Sequence, residues 1–199
     1  MIWIGTSGWV YPHWVGRFYP RDLPQSAWLP YYVARFPTVE INRSFYRLPD
    51  RAQFQAWAAE VSGELGFLFA VKGSRYVTHL KKLRDAEEGV GRLVHAAEGL
   101  GPRLGPFLYQ LPPHWHADPD RLGRFVALLP RAHRAAFEFR DPSWFRPDVL
   151  RILADAGCAL VEAVGGEGLT PLDLPATLSA ARGPLPLGMG VKRRAPLVW

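Results

Sequence analysis

The stretch AAFEFRDPSW, Ala135 to Trp144, decides how the chain is read. Ala135, Ala136, Phe137 and Phe139 have the pattern of a buried strand, yet Glu138 and Arg140 fall inside it. An unpaired charge in such a run costs several kcal/mol or more. A carboxylate there needs a partner, a wet cavity or a function.

The same pattern recurs along the chain. Glu40 and Asn42 interrupt TVEIN, Lys72 ends FAVK and Gln110 follows LY. Each segment is apolar early and polar late, next to a turn. Between these strand candidates lie longer segments with helical spacing, such as DRAQFQAWAAEV with Phe54, Trp57 and Val61. QSAWLPYYVARF, the Leu80 to Leu100 stripe, DPDRLGRFVALLP with Asp118 as N-cap, and RPDVLRILADAG ending at Gly157 complete the helical set. MIWIGTSG, TVEINRSF, GFLFAVKG, GPFLYQLP, RAAFEFR and CALVEAV are the expected strands.

Six β-α repeats with nearly all-apolar strands predict an α/β fold with a covered parallel sheet. A doubly wound sheet and a (β/α)8 barrel both fit. No G-x-G-x-x-G follows a strand, which weighs against a dinucleotide-binding unit. The expected fold is a TIM-type (β/α) barrel with about six of the eight βα units, incomplete at the C-terminus. In a barrel the strand C-termini converge on one mouth. Late polar residues there face one another and a shared cavity.

Several function classes recede on composition. The formal charge is +6, but Arg182, Lys192, Arg193 and Arg194 carry four of those charges within residues 179–199, where there is no acid. The preceding 178 residues hold 20 basic and 18 acidic side chains, close to neutral. A nucleic-acid surface spread over the body is therefore disfavoured. Cys158 is the single cysteine, so no internal disulfide forms and a cytoplasmic location is expected. The start, MIWIGTSGW, lacks signal-peptide features, and no run reaches the ~20 apolar residues of a membrane span. No pattern specifies a cofactor. His114-x-His116 lies in a Pro-rich loop, a weak metal signal, and no metal site is assigned.

Aromatics just past strand ends, Trp9, Tyr11 and Tyr46, are candidates for stacking on a sugar or base. His79, after the third strand, shares the expected mouth with Lys72 and is a candidate acid–base group. The competing reading is a buried salt-bridge network of Glu40, Glu138, Lys72 and Arg140 without chemistry.

At these residues the chain resembles the DUF72 family, also called YecE-like. The stretches that carry the resemblance are GTSGWVYPHWVGRFYP (Gly5–Pro20), YYVARFPTVEINRSFYRLP (Tyr31–Pro49), FLFAVKGSRYVTH (Phe67–His79), LGPFLYQLPP (Leu104–Pro113) and AFEFRDPSWF (Ala136–Phe145). The resemblance implies a TIM-type barrel with a pocket at the strand C-termini, and no established reaction. It implies pocket residues Ser7, Trp9, Tyr11, Glu40, Asn42, Tyr46, Lys72, His79, Gln110, Glu138, Arg140 and Trp144. Asp141 departs from the family pattern, which often has His there. The family's later Arg-x-His-Gly-like and Asn-Asn-like motifs are also missing. LSAARGPLPLGMGVKRRAPLVW, from Leu178, has no acid, Tyr or Phe and resembles GC-rich sequence read out of frame. The expectation is a barrel domain over 1–178 and a basic irregular tail over 179–199, from truncation, a frameshift or genuine divergence.

Three functions follow. The first is an enzyme on a small sugar- or phosphate-bearing substrate. There Glu40, Glu138, Lys72 and His79 serve acid–base chemistry, and Ser7, Trp9, Tyr11, Asn42, Tyr46, Gln110, Arg140 and Trp144 bind the ligand. The second is a barrel that binds or processes nucleic acid. The third is a truncated, inactive family member. Oligomeric state is left open.

Overall fold

The computed structural model describes residues 3–162. Six strands form one parallel sheet in sequence order: β1 (Gly5–Ser7), β2 (Thr38–Ile41), β3 (Leu68–Lys72), β4 (Leu104–Gln110), β5 (Ala135–Glu138) and β6 (Ala159–Leu160). Helices connect them: α1 (Trp28–Val33), α2 (Arg43–Tyr46) and α3 (Arg51–Glu60), then α4 (Glu87–Ala97), α5 (Pro119–Ala127) and α6 (Pro147–Asp155). Consecutive parallel strands lying side by side, with helices between them, make the progression of a TIM-type barrel. The expected tail over 179–199 and the 1–178 boundary lie outside the described residues.

Alternation along the strands sorts the side chains into two populations. Val39, Ile41, Phe69, Val71, Phe107, Tyr109, Phe137 and Phe139 belong to the main apolar cluster, and none is more than 2% exposed. They meet the helices: Phe125 of α5 packs edge to face on Tyr109 at 5.0 Å and on Phe137 at 6.1 Å. The alternate residues, Thr38, Glu40, Lys72, Leu108, Gln110, Ala136 and Glu138, are buried but stand outside that cluster. A side-chain period of two requires this division. The bulky face builds the core, and the other face is small or polar.

Caps and breakers behave as their chemistry requires. Asp50 caps α3 by accepting from the Gln53 N–H at 2.8 Å, and Asp118 caps α5 by accepting from Arg121 N–H at 3.0 Å. Pro30 is tolerated because it falls in the first turn of α1, where its missing N–H has no helical partner. Gly157 follows α6 at φ +66°, a left-handed position.

Two expectations are corrected. The 80–100 stripe is not one helix. A π-helical turn covers Tyr76–Leu80, and the chain then passes through left-handed Lys82, Leu83 and Asp85 before α4 starts at Glu87. Three such non-glycine residues in four positions cannot be helical. The sixth strand is also shorter than expected, with two residues paired to Ala136 and Phe137.

The two populations should differ in their share of stability. Phe137→Ala empties a site at the centre of the main cluster and is expected to cost about 3–5 kcal/mol in urea unfolding. A cost under about 1 kcal/mol would show that the strand–helix interface is not the principal core.

Candidate functional site

The polar residues occupy the last positions of their strands. Ser7, Lys72, Gln110 and Glu138 each end a strand, and Glu40 is one residue from the end of β2. The register then aligns them. Ser7 lies opposite Glu40, and Gln110 opposite Glu138. Glu40 lies opposite Ala70, two residues before Lys72, and Lys72 lies opposite Leu108, two residues before Gln110. Two-residue steps keep all five side chains on one face as the register climbs across the sheet.

Among the described residues, each carboxylate meets a neutral donor and a cation. Glu40 Oε1 accepts from the Ser7 hydroxyl at 2.6 Å, with Lys72 Nζ at 3.7 Å. Glu138 Oε1 accepts from Gln110 Nε2 at 2.7 Å and from Arg140 Nε at 3.0 Å. Both carboxylates have no solvent exposure. The second oxygen of Glu40, Oε2, is buried, and among the described residues it receives no hydrogen bond. A buried acceptor left this way is costly, about 1–3 kcal/mol or more for a charged group.

His79 is carried on the π-helical turn. Its ring packs edge to face on Phe45 at 5.0 Å, and Lys72 Nζ lies 5.1 Å from the same Phe45 ring. Burial lowers the His79 pKa to about 4, aided by the positive charges of Lys72, Arg140 and Arg75 and opposed by Glu138. The imidazole is neutral at pH 7. The Thr78 hydroxyl donates to Ser74 O at 2.9 Å and lies 2.9 Å from His79 Nδ1. With its single proton so committed, Thr78 Oγ1 accepts from Nδ1–H, and this network assigns the Nε2 lone pair as the free acceptor.

Tyr11 donates its hydroxyl hydrogen to Ser7 O. Burial, then the charge of Glu40, raises its pKa and keeps the phenol neutral. Tyr46 is 73% exposed, while its neighbour Phe45 is buried.

Three expected ligand residues lie elsewhere. Trp144 is fully buried, stacked on Phe139 at 5.0 Å and donating Nε1–H to Trp115 O at 2.6 Å. It is a core residue with no face for a ligand, because the Pro142–Trp144 turn folds it back inward. Asn42 does not share the Glu40 face, because β2 ends at Ile41 and Asn42 adopts helical φ/ψ. It lines an outer cleft of about 570 Å³ together with Trp9 and Tyr11. Trp9 is mostly buried, edge to face with Trp57 at 5.4 Å.

Sequence reading missed the supports. Ser44 Oγ lies 2.6 Å from Lys72 O and 2.8 Å from Ile41 O, tying the ends of β2 and β3. Thr78 orients His79. Asp141 caps the Pro142–Trp144 turn, accepting from Ser143 N–H at 3.0 Å and Ser143 Oγ at 2.6 Å. Its pKa is lowered by that Ser143 hydroxyl bond. Only a D-P-S turn signal pointed to this role. Among the described residues, no three His, Cys, Asp or Glu side chains gather as a metal site.

The model of the family described as "Protein of unknown function DUF72" matches residues 3–183. The chain belongs to that family. It is 27% identical to UPF0759 protein YecE of Escherichia coli K12 over 146 residues, 73% of this chain and 50% of YecE. It is 27% identical to UPF0759 protein YunF of Bacillus subtilis over 155 residues, 74% of this chain and 53% of YunF. The chain thus spans about half the length of these curated relatives. A crystal structure of a DUF72 family protein from Thermotoga maritima matches with TM-score 0.75 and 30% identity, covering 86% of this chain and 68% of that one. A DUF72 family protein from Enterococcus faecalis matches with TM-score 0.66 and 19% identity, covering 86% and 67%, and speaks to the fold alone. Among the described residues no helix is long and apolar enough to cross a membrane.

Two outcomes follow for the polar face. Lys72→Met leaves Glu40 with Ser7 as its described donor and is expected to cost about 3–5 kcal/mol in denaturant melts. Adding Glu40→Gln should recover most of that loss, since the amide needs no counter-charge. An uncoupled pair in this cycle would show that Lys72 does not serve Glu40.

His79 binds a proton near pH 6.5 when unfolded and about 4 when folded. The unfolded state therefore holds more protons between those values, and stability falls as pH drops through that window. The ring is partly exposed, so about 1 kcal/mol is expected after screening. His79→Gln should flatten the wild-type stability curve between pH 6.5 and 4 by that amount. Superimposable curves would place the His79 pKa near its ordinary value.

Proposed function

We propose that the inward polar face performs acid–base chemistry on a small polar, sugar- or phosphate-bearing substrate. The observation that carries this reading is Glu40 Oε2, a buried carboxylate oxygen near the C-terminal end of a parallel strand that, among the described residues, has no donor. A substrate hydroxyl or ammonium supplies the missing donor, and the carboxylate then accepts its proton. Ser7 and Lys72 hold the other oxygen and fix the direction of attack. His79 Nε2 is a second neutral acceptor, able to take a proton and return it. Lys72 and Arg140 balance negative charge that develops on the substrate, in a site where low dielectric strengthens each interaction. Gln110 holds Glu138 so that Glu138 can orient Arg140.

A nucleic-acid ligand has less support. Lys72 and Arg140 each lie on a buried carboxylate and are poorly placed to contact a run of phosphates. An inactive remnant is the remaining alternative. A cytoplasmic compartment fits Cys158, a free, buried thiol.

The test is a panel of glycosides and sugar phosphates assayed with wild-type protein, Glu40→Gln and His79→Gln. Turnover of at least one compound is expected, with kcat lower by about 10²–10⁴ in Glu40→Gln. Unfolding midpoints taken on the same samples separate chemistry from folding. No turnover across the panel, or full activity in a folded Glu40→Gln, would sink the reading.

A further inference from the structure

The acid–base reading leaves out the outer cleft that Trp9, Tyr11 and Asn42 line. Its volume, about 570 Å³, is within the range of small-molecule sites. It opens beside β1 and β2 and is walled by α3. Gln53, Trp57 and Glu60 all line it. Their spacing of four and then three residues puts them on one helix face. That explains why α3 is not a simple core helix. Phe54 and Val61 are buried in the core, while Gln53 and Glu60 are exposed at the cleft.

The chemistry of the lining is specific. Gln25, Asn42 and Gln53 contribute three side-chain amides, and Arg43 and Glu60 contribute one charge of each sign. Among the described residues, none of these five side chains has a hydrogen-bond or ion-pair partner. An amide both donates and accepts, as a hydroxyl does. A lining whose two charges cancel suits a neutral ligand rather than a polyanion. Trp9 and Trp57 add apolar surface for C–H groups.

We infer that this cleft binds a neutral polyhydroxylated ring, a sugar unit, through its amides and the two indoles. As a binding site it stands apart from the acid–base chemistry. As a substrate subsite it rests on that reading. Tyr11 links the two, since it lines the cleft, bonds to Ser7 O and lies within the field of Glu40. A sugar seated in the cleft would extend past Tyr11 toward the Glu40 carboxylate.

The experiment is an NMR titration of the full chain with glucose, N-acetylglucosamine, cellobiose and, as a charged counter-probe, inorganic phosphate. At least one sugar should saturate shifts at the Trp9 and Trp57 indole N–H and the Asn42 and Gln53 amides. The Asn42→Ala/Gln53→Ala variant should bind at least about tenfold more weakly, and Arg92→Ala, an exposed α4 change away from both sites, within about twofold of wild type. Unchanged indole signals in the free variant certify its fold. Glu60→Gln, a milder change, should also weaken binding. The inference is overturned if no sugar moves the cleft signals, if phosphate alone saturates them, or if both cleft variants bind as wild type. Sugar binding lost in Glu40→Gln but kept in the cleft variants would overturn the cleft and favour the acid–base centre. Cleft binding beside full turnover by Glu40→Gln would retire only the acid–base reading.

Discussion

A parallel strand covered on both sides must supply two environments from one alternating sequence. That constraint organises this molecule. Phe69, Val71, Phe107, Tyr109, Phe137 and Phe139 all take the helix side and build the apolar cluster. Their alternates carry what the core cannot accept. Because the period is two, Lys72 cannot join Val71 in the core, and Glu138 cannot join Phe137. Register then assembles residues distant in sequence: Ser7 meets Glu40 across 33 positions, and Gln110 meets Glu138 across 28.

Buried charge is tolerated here through pairing, and the pairing is local in the sheet. Each carboxylate uses a neutral donor from the adjacent strand and a cation two residues further along the climbing register or along its own strand. Replacing such a group by apolar residues of similar volume is often neutral or stabilising. An all-apolar inner face would therefore serve stability at least as well. Burying charge in pairs is thus no gain over an apolar face, and that is the physical argument behind the proposed acid–base role.

The strands and their late polar residues were legible in the sequence because one rule governs both. Apolar runs ended by Glu40, Lys72, Gln110 or Glu138 can adopt only one orientation once the bulky neighbours are buried. Residues past the strand ends were not legible in the same way. Asn42 follows Glu40 by two, yet the backbone has already turned into a helix there. Trp144 looks like an exposed aromatic after a strand, but Asp141 and Ser143 fold its turn back onto Phe139. The lowered pKa of His79 comes first from burial, then from Lys72 and Arg140 on other elements and Arg75 at the start of its own turn, and no local pattern encodes that convergence. The outer cleft is equally non-local, since its amides come from three separate segments.

The two carboxylate centres are not equivalent, and the difference divides their roles. Lys72 beside Glu40 has a side chain only 10% exposed, whereas Arg140 beside Glu138 is 36% exposed. Coulomb energies and desolvation both grow as water is excluded. Fields at the drier centre are therefore larger and more fixed than at the wetter one. Among the described residues, no donor reaches Glu40 Oε2. Within the proposed reading, Arg140, held by Glu138 and partly exposed, is the cation placed to meet an incoming anion. Within the acid–base reading proposed above, the drier Glu40 centre is assigned proton transfer and the wetter Arg140 is assigned ligand capture.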